Sequence, residues 1–440
     1  MTITASNTLE FKWTSPKSTA RSSFRSDNLS IDMRNTYCDE VLGPLYSYMM
    51  VLGLNHNHSS AQKSILKWPL TIYNYIIVFV MTSTTIRRFT QLCRGKNEEN
   101  FNVLNPNFVL TLCHALLMFS GLAAAFLLLK MQKRKEQMYR VLDRGINRTR
   151  NEENDKKHFR LNKLFITISF LFATALAVVQ IFTKLNYIAL PDSPDLIDRS
   201  LPSIILEGYV IFIASSAISL LAILFFQLCR ILQFSIARLI EEMVPKEKEE
   251  CPLPEQSLQQ IHDVQMHYQE ISNAKVFIEQ NFSFSLFYTY GCCIPLTCLL
   301  GYIAFRSDKE TDMAASISVI IWLVNAMLAL MLFSIPAFMI AEEGDKLLVA
   351  SFKMYHETLC EERDLLVLSQ MSFLSFQMHA TKLTLSAGNF FMMNRKILIS
   401  LFSAIFTYFL ILVQFDAERQ KQNATCHDTS SSMLVIKPKF

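Results

Sequence analysis

Seven stretches of the chain are apolar for long enough to cross about 30 Å of hydrocarbon, a distance that takes about 20 helical residues. They lie near 69–86, 107–129, 164–183, 204–228, 282–305, 313–340 and 397–415. All 42 Lys and Arg residues fall outside these windows, and Glu207 is the one acidic residue inside them. The pattern therefore predicts an all-α membrane protein with seven transmembrane helices. A further apolar run, Val41 to Leu54, has 14 residues, which suits a helix lying at the interface better than a span.

Composition agrees with this reading. The 440 residues are 51% hydrophobic and 18% charged, with 34 Phe and 10 Gly, which moves the chain away from soluble proteins. The net charge of +4 is too small to suggest a nucleic-acid partner. An odd span count puts the termini on opposite sides, and basic residues decide between them. One side, 1–68 with the loops 130–163, 229–281 and 341–396, collects 30 Lys and Arg; the other collects 12. The segment 130–163 alone carries 12 basic and 5 acidic residues. The N-terminus is therefore expected in the cytoplasm and the C-terminus outside.

Met1 to Arg25 is polar and lacks the apolar core of a cleavable signal peptide, so the first span is expected to act as signal anchor. The expected division is a disordered tail at 1–40, an interfacial helix and linker at 41–65, and spans one to six with a ligand pocket at 66–340. A cytoplasmic segment follows at 341–396, then the seventh helix at 397–415 and an outer tail at 416–440.

Ten cysteines without a C-x-x-C pattern read as packed, reduced thiols. Only Cys93 and Cys426 lie outside and clear of the membrane, where a disulfide between them is chemically allowed. No phosphate cradle, metalloprotease motif or nucleophile elbow is present, so no cofactor, metal or enzyme activity is expected. Asn423 opens a sequon on the outer side; Asn28, Asn57 and Asn147 open others on the inner side, where glycosylation is not expected.

The last span carries polar residues in one register. Ser400, Ser403, Thr407, Ile411 and Gln414 step by three or four residues and so form a narrow stripe on one helix face. Spacing leaves two readings open. Small hydroxyl residues let helices approach and Gln414 joins them by hydrogen bonds, or the stripe faces a water-filled path on an oligomer axis.

Thr407-Tyr408, five apolar residues and Gln414-Phe415 resemble the T-Y-(five hydrophobic)-Q-F signature that ends the seventh span of insect gustatory receptors. The upstream run Ala387-Gly388-Asn389-Phe390-Phe391-Met392-Met393-Asn394-Arg395 is similar to the stretch that precedes it in that family. The likeness covers roughly 41–415 and includes the basic second loop. It implies a homo- or heterotetrameric, ligand-gated, non-selective cation channel in the plasma membrane of sensory dendrites. In that family the seventh helices line the pore, and cytoplasmic extensions of helices four to seven form an anchor. Carried over by motif, Gln414 and Phe415 fall at the outer gate, and Thr407 and Tyr408 where the pore helix packs on its neighbours. Asp416 would put four carboxylates at the mouth, or be an ordinary solvated residue at a helix end.

With that orientation, the polar and aromatic residues in the outer halves of spans two to six are His114, Gln180, Glu207, Tyr209, Thr297, Tyr302, Trp322 and Asn325. Each is a candidate for contact with a small-molecule tastant, and each has a plainer role as interfacial anchor or interhelical hydrogen bond. Glu207 stands out because an intramembrane carboxylate faces a cavity or a partner; ionised in a pocket it would favour a cationic or hydroxyl-rich ligand. The sugar-sensing branch tends to carry an acidic residue after the T-Y pair, and Phe409 stands there, so the resemblance implies bitter, aversive compounds. The rivals are an insect odorant-receptor-like subunit, a G-protein-coupled receptor, which needs the opposite orientation, and a transporter, which needs more ionisable groups in the spans.

Overall fold

The computed structural model describes residues 43–52, 67–95, 106–134, 137–138, 152–188, 201–244, 254–306, 313–360 and 365–433. Expectations for the tail at 1–40 and for the sequons at Asn28, Asn57 and Asn147 lie outside the described residues. Nine helices of a turn or more are described: α1 (43–51), α2 (Lys67–Gly95), α3 (Pro106–Lys133), α4 (Glu152–Ile188), α5 (Leu201–Met243), α6 (Pro254–Arg306), α7 (Met313–Cys360), α8 (Leu365–Ala380) and α9 (Arg395–Met433). A two-stranded antiparallel hairpin, β1 (Ser386–Ala387) and β2 (Phe391–Met392), stands between α8 and α9.

Every predicted window is helical, and among the described residues six helices are long and apolar enough to cross a membrane: α3, α4, α5, α6, α7 and α9. The helix over the first window, α2, is not among them. Its window holds the polar residues Thr71, Asn74 and Thr82-Ser83-Thr84-Thr85. In the helix Thr82, Thr84 and Thr85 turn their hydroxyls back onto the carbonyls of Val78, Val80 and Met81, which satisfies them without water.

Helix α5 is the hub. Over its most apolar stretch of 18 residues 83% are buried, and it packs against α2, α3, α4, α6 and α7. Such an all-round apolar helix has no solvent face to preserve, so its sequence is apolar on every side. Small residues set the approach of its neighbours: a Cβ on Gly121 of α3 would overlap Ala214, and one on Gly208 would overlap Ile181 of α4. Side-chain pairs fix directions. Phe165 meets Phe226 while Ile181 meets Gly208, so α4 and α5 are antiparallel. Asn325 meets Ser215 and Phe333 meets Phe225, so α7 runs with α5.

The short helix α1, expected at the interface, packs into the core. Leu45, Met49 and Leu52 are almost fully buried, and the Tyr48 hydroxyl lies 3.1 Å from Ser216 in the middle of α5. Its ring meets Phe170 of α4 edge-on. A 14-residue apolar run cannot span, but nothing in its composition separates a surface helix from one wedged between spans.

Beyond the windows, α5, α6 and α7 continue without a break, and with α8 they pack into a helical extension of the bundle. His267 of α6 bonds Glu242 of α5 at 3.0 Å, and Tyr268 donates to the Thr381 carbonyl after α8 at 2.9 Å.

Candidate functional site

Two regions gather the candidate residues. The first is a narrow cavity walled by α3 to α7 at mid-bundle, lined by Leu117, Ser120, Leu176, Ile218, Cys293, Leu296, Trp322, Asn325, Ala326 and Ala329. A second, smaller space adjoins it at Ser120, Ile218 and Cys293 and is walled by Tyr288, Thr289 and Phe333.

Trp322 and Asn325 sit one turn apart on α7, so both reach the same wall. Trp322 is held edge-on by the His114 ring, with centroids 4.4 Å apart, and Asn325 donates its amide to the Ser215 hydroxyl at 3.3 Å. The rest of the lining is apolar with a few small polar atoms, the composition of a small-molecule site. Ser120 and Cys293 belong to this wall and Tyr288 to the adjoining space, and none was among the sequence candidates. A hydroxyl or thiol in a long apolar run carries no periodic signal that would single it out.

The other candidates stand elsewhere. His114 backs Trp322 without lining the cavity. Glu207 pairs with Arg88 at the end of α2, both side chains being close to nine-tenths buried. The ion pair answers the cost of a carboxylate in this environment, and the cavity wall holds no acidic residue. Tyr209 is exposed and shares a 2.8 Å hydroxyl contact with Tyr73. Thr297 returns its hydroxyl to the Cys293 carbonyl at 2.6 Å, while Gln180 and Tyr302 are buried between helices away from the cavity wall.

The second region is α9 and the hairpin before it. Over Arg395–Phe415 no residue of α9 is buried. Among the helices it packs on α6: Cys298 approaches the Ile405 carbonyl at 3.6 Å, and Phe305 meets Phe409 edge-on. The opposite face is bare and carries Ser400, Ser403, Thr407, Tyr408, Ile411, Gln414 and Phe415, all exposed. Thr407 satisfies its hydroxyl on the Ser403 carbonyl at 2.8 Å. Asp416, Asn423 and Cys426 fall within α9, but their side chains lie outside the described residues; Cys93 is an exposed free thiol.

The run from Ala387 to Arg395 is the hairpin itself. Gly388 and Asn389 both take positive φ, 60° and 61°, the geometry a tight hairpin turn demands. The Gly388 amide donates to the Ser283 carbonyl at 2.9 Å and hydroxyl at 2.8 Å, and a Cβ there would stand 2.9 Å from Phe287. Ser386 gives its amide and hydroxyl to Glu279, which Lys275 holds at 2.6 Å. Asn394 then accepts the Ile397 amide at 2.9 Å and caps α9. One helix, α6, thus bears the cavity on one side and the hairpin and α9 on the other. Pro295, which leaves one backbone carbonyl of α6 without its usual donor, lies at the level of the cavity.

A profile of the 7tm chemosensory receptors matches residues 42–419. The chain is 75% identical to Gustatory receptor family protein 3 of Caenorhabditis elegans, with both chains covered fully. It is 43% identical to High-energy light unresponsive protein 1 of the same nematode, over 89% of each chain. Its fold is similar to that of the insect olfactory receptor OR5 from Machilis hrabei: TM-score 0.63 at 12% identity, covering 88% of this chain and 99% of that one. The structure of OR5 in complex with eugenol gives 0.61 at 14% identity, covering 86% and 100%.

Proposed function

Because the chain belongs to the 7tm chemosensory receptor family, we propose that it is one subunit of a tetrameric, ligand-gated cation channel. In this reading α2 completes seven spans, the N-terminus is cytoplasmic, and the protein sits in the plasma membrane of sensory neurons. Small tastants of the bitter, avoided kind enter the cavity between α3 and α7, and the aromatic and apolar lining supports that class. The eugenol complex of OR5 supports a small-molecule ligand for this fold.

The observation that carries the reading is the bare seventh helix. A span with no buried residue, packed on α6, presents its polar stripe to whatever lies beyond the subunit. Lipid is a poor neighbour for Gln414, whereas a water-filled axis shared with other subunits satisfies it. A ring of Phe415 side chains closing there would strip a cation of hydration, at a cost of several kcal/mol. Turning Phe415 out and Gln414 in replaces the dry ring with amides that solvate the ion. Ligand in the cavity acts on α6 beside Pro295, and the hairpin hands that movement to α9.

Whole-cell recording tests this. Phe415→Ala should pass current without ligand, and Gln414→Ala should lower conductance, both at wild-type surface expression. Unchanged currents in both variants would remove the pore assignment.

A second reading takes up the name of the 43% relative, which ties that protein to high-energy light. Trp322 supports it, since an indole absorbs in the near ultraviolet and this one is buried at the cavity against His114. Ultraviolet-evoked current in the absence of added ligand, lost in Trp322→Phe, is the expected signature; a response that persists in Trp322→Phe would reject this reading.

A further inference from the structure

We infer that the cavity selects ligands by a hydrogen-bond acceptor offered to the Trp322 indole N–H, so that its preferred class is a small, flat, uncharged molecule bearing a carbonyl or ether oxygen. The inference rests on the reading of this cavity as the ligand site.

Trp322 is 3% exposed and lines the cavity, and among the described residues its Nε1–H has no acceptor. A buried N–H left unpaired is unfavourable, and a ligand oxygen that meets it recovers that loss. The indole is not free to swing toward another partner, because His114 meets its ring at 73° with centroids 4.4 Å apart. Asn325 is committed through its amide nitrogen to Ser215, so on the α7 side of the cavity Trp322 is the donor without a partner among the described residues, and the Ser120 hydroxyl is in the same position on α3.

The lining argues equally against other classes. A cation entering here would meet no carboxylate, since Glu207 is neutralised by Arg88 away from the cavity. A polyhydroxylated ligand would lose more hydration than Leu117, Leu176 and Leu296 can replace. A neutral acceptor satisfies the indole and buries its remaining surface among apolar side chains. Sites that hydrogen-bond one group reject the analogue lacking it more strongly than they reject a change of apolar shape.

The test uses acetophenone and α-methylstyrene, near-isosteres that differ in carbonyl against methylene, with the purified full-length protein. Affinity is read from thermal stabilisation, which does not depend on channel opening, and each variant's melting without compound reports its folding. Wild type should bind acetophenone at least about tenfold more tightly. Trp322→Phe should equalise the two by weakening acetophenone alone. A preference that survives Trp322→Phe overturns the inference, as does binding of neither compound by wild type. Ala326→Trp, which fills the cavity, should abolish both; if acetophenone still binds there with its preference intact, the cavity is not the ligand site and the underlying reading fails instead.

Discussion

Phe287 of α6 and Phe390 of the hairpin turn stack nearly face to face, with centroids 4.7 Å apart and planes 18° from parallel. The contact explains why the turn must be so tight. Gly388 brings its amide down onto Ser283 and lies against Phe287, leaving no space for a side chain. Glu279 holds the other edge through Ser386, and Tyr290 meets Phe391 edge-on. The segment that begins α9 is therefore fastened to α6, the helix that lines the cavity.

Gly388→Ala should destabilise the protein by about 2 kcal/mol or more, combining a left-handed φ with a blocked contact. Thermal melting of detergent-solubilised protein checks this. Asn389→Gly, at φ 61°, should melt within a degree or two of wild type or above it. Equal melting of Gly388→Ala and wild type would contradict the geometry described for the turn.

Arg88 and Glu207 should behave as one unit. Removing either charge strands the other in a largely buried setting, at a cost of about 3–5 kcal/mol for a fully buried pair and less here. Surface expression of Arg88→Gln and of Glu207→Gln should fall, and the double variant should recover part of the loss. Losses that simply add in a double-mutant cycle would show that the two side chains do not interact.

Much of this architecture was legible in the sequence. Twenty apolar residues in a row have few alternatives to a helix, and all seven windows are helical in the structure. The stripe from Ser400 to Gln414 was visible because helical spacing alone places it on one face. What was hidden depends on contacts distant in the chain. Glu207 was marked as facing a cavity or a partner and placed among the ligand contacts, but nothing local names Arg88. The hairpin's Gly-Asn pair was read as a family motif, because its purpose lies in Ser283 and Phe287 about 100 residues earlier. The burial of α1 turns on Tyr48 meeting Ser216, which no periodicity in a 14-residue run reveals.

Asn394→Ala should weaken the start of α9 by about 1 kcal/mol, the usual worth of a side-chain cap. Asn394→Asp and Asn394→Ser, which retain an acceptor, should hold the wild-type melting temperature. Equal loss in all three variants would mean that the side chain acts other than as a cap.

In the proposed channel the bare face of α9 lines a water-filled path while the opposite face packs on α6. Single cysteines placed along α9 in a Cys93→Ser, Cys426→Ser background, with a charged thiol reagent applied from outside, test it most directly. Block of ligand-evoked current should follow the stripe, strong at Gln414→Cys and Ile411→Cys and fading inward through Thr407→Cys and Ser403→Cys, with no block at Ile405→Cys or Phe409→Cys. Block at Ile405 and Phe409 with none along the stripe, or no block at any position, would contradict it.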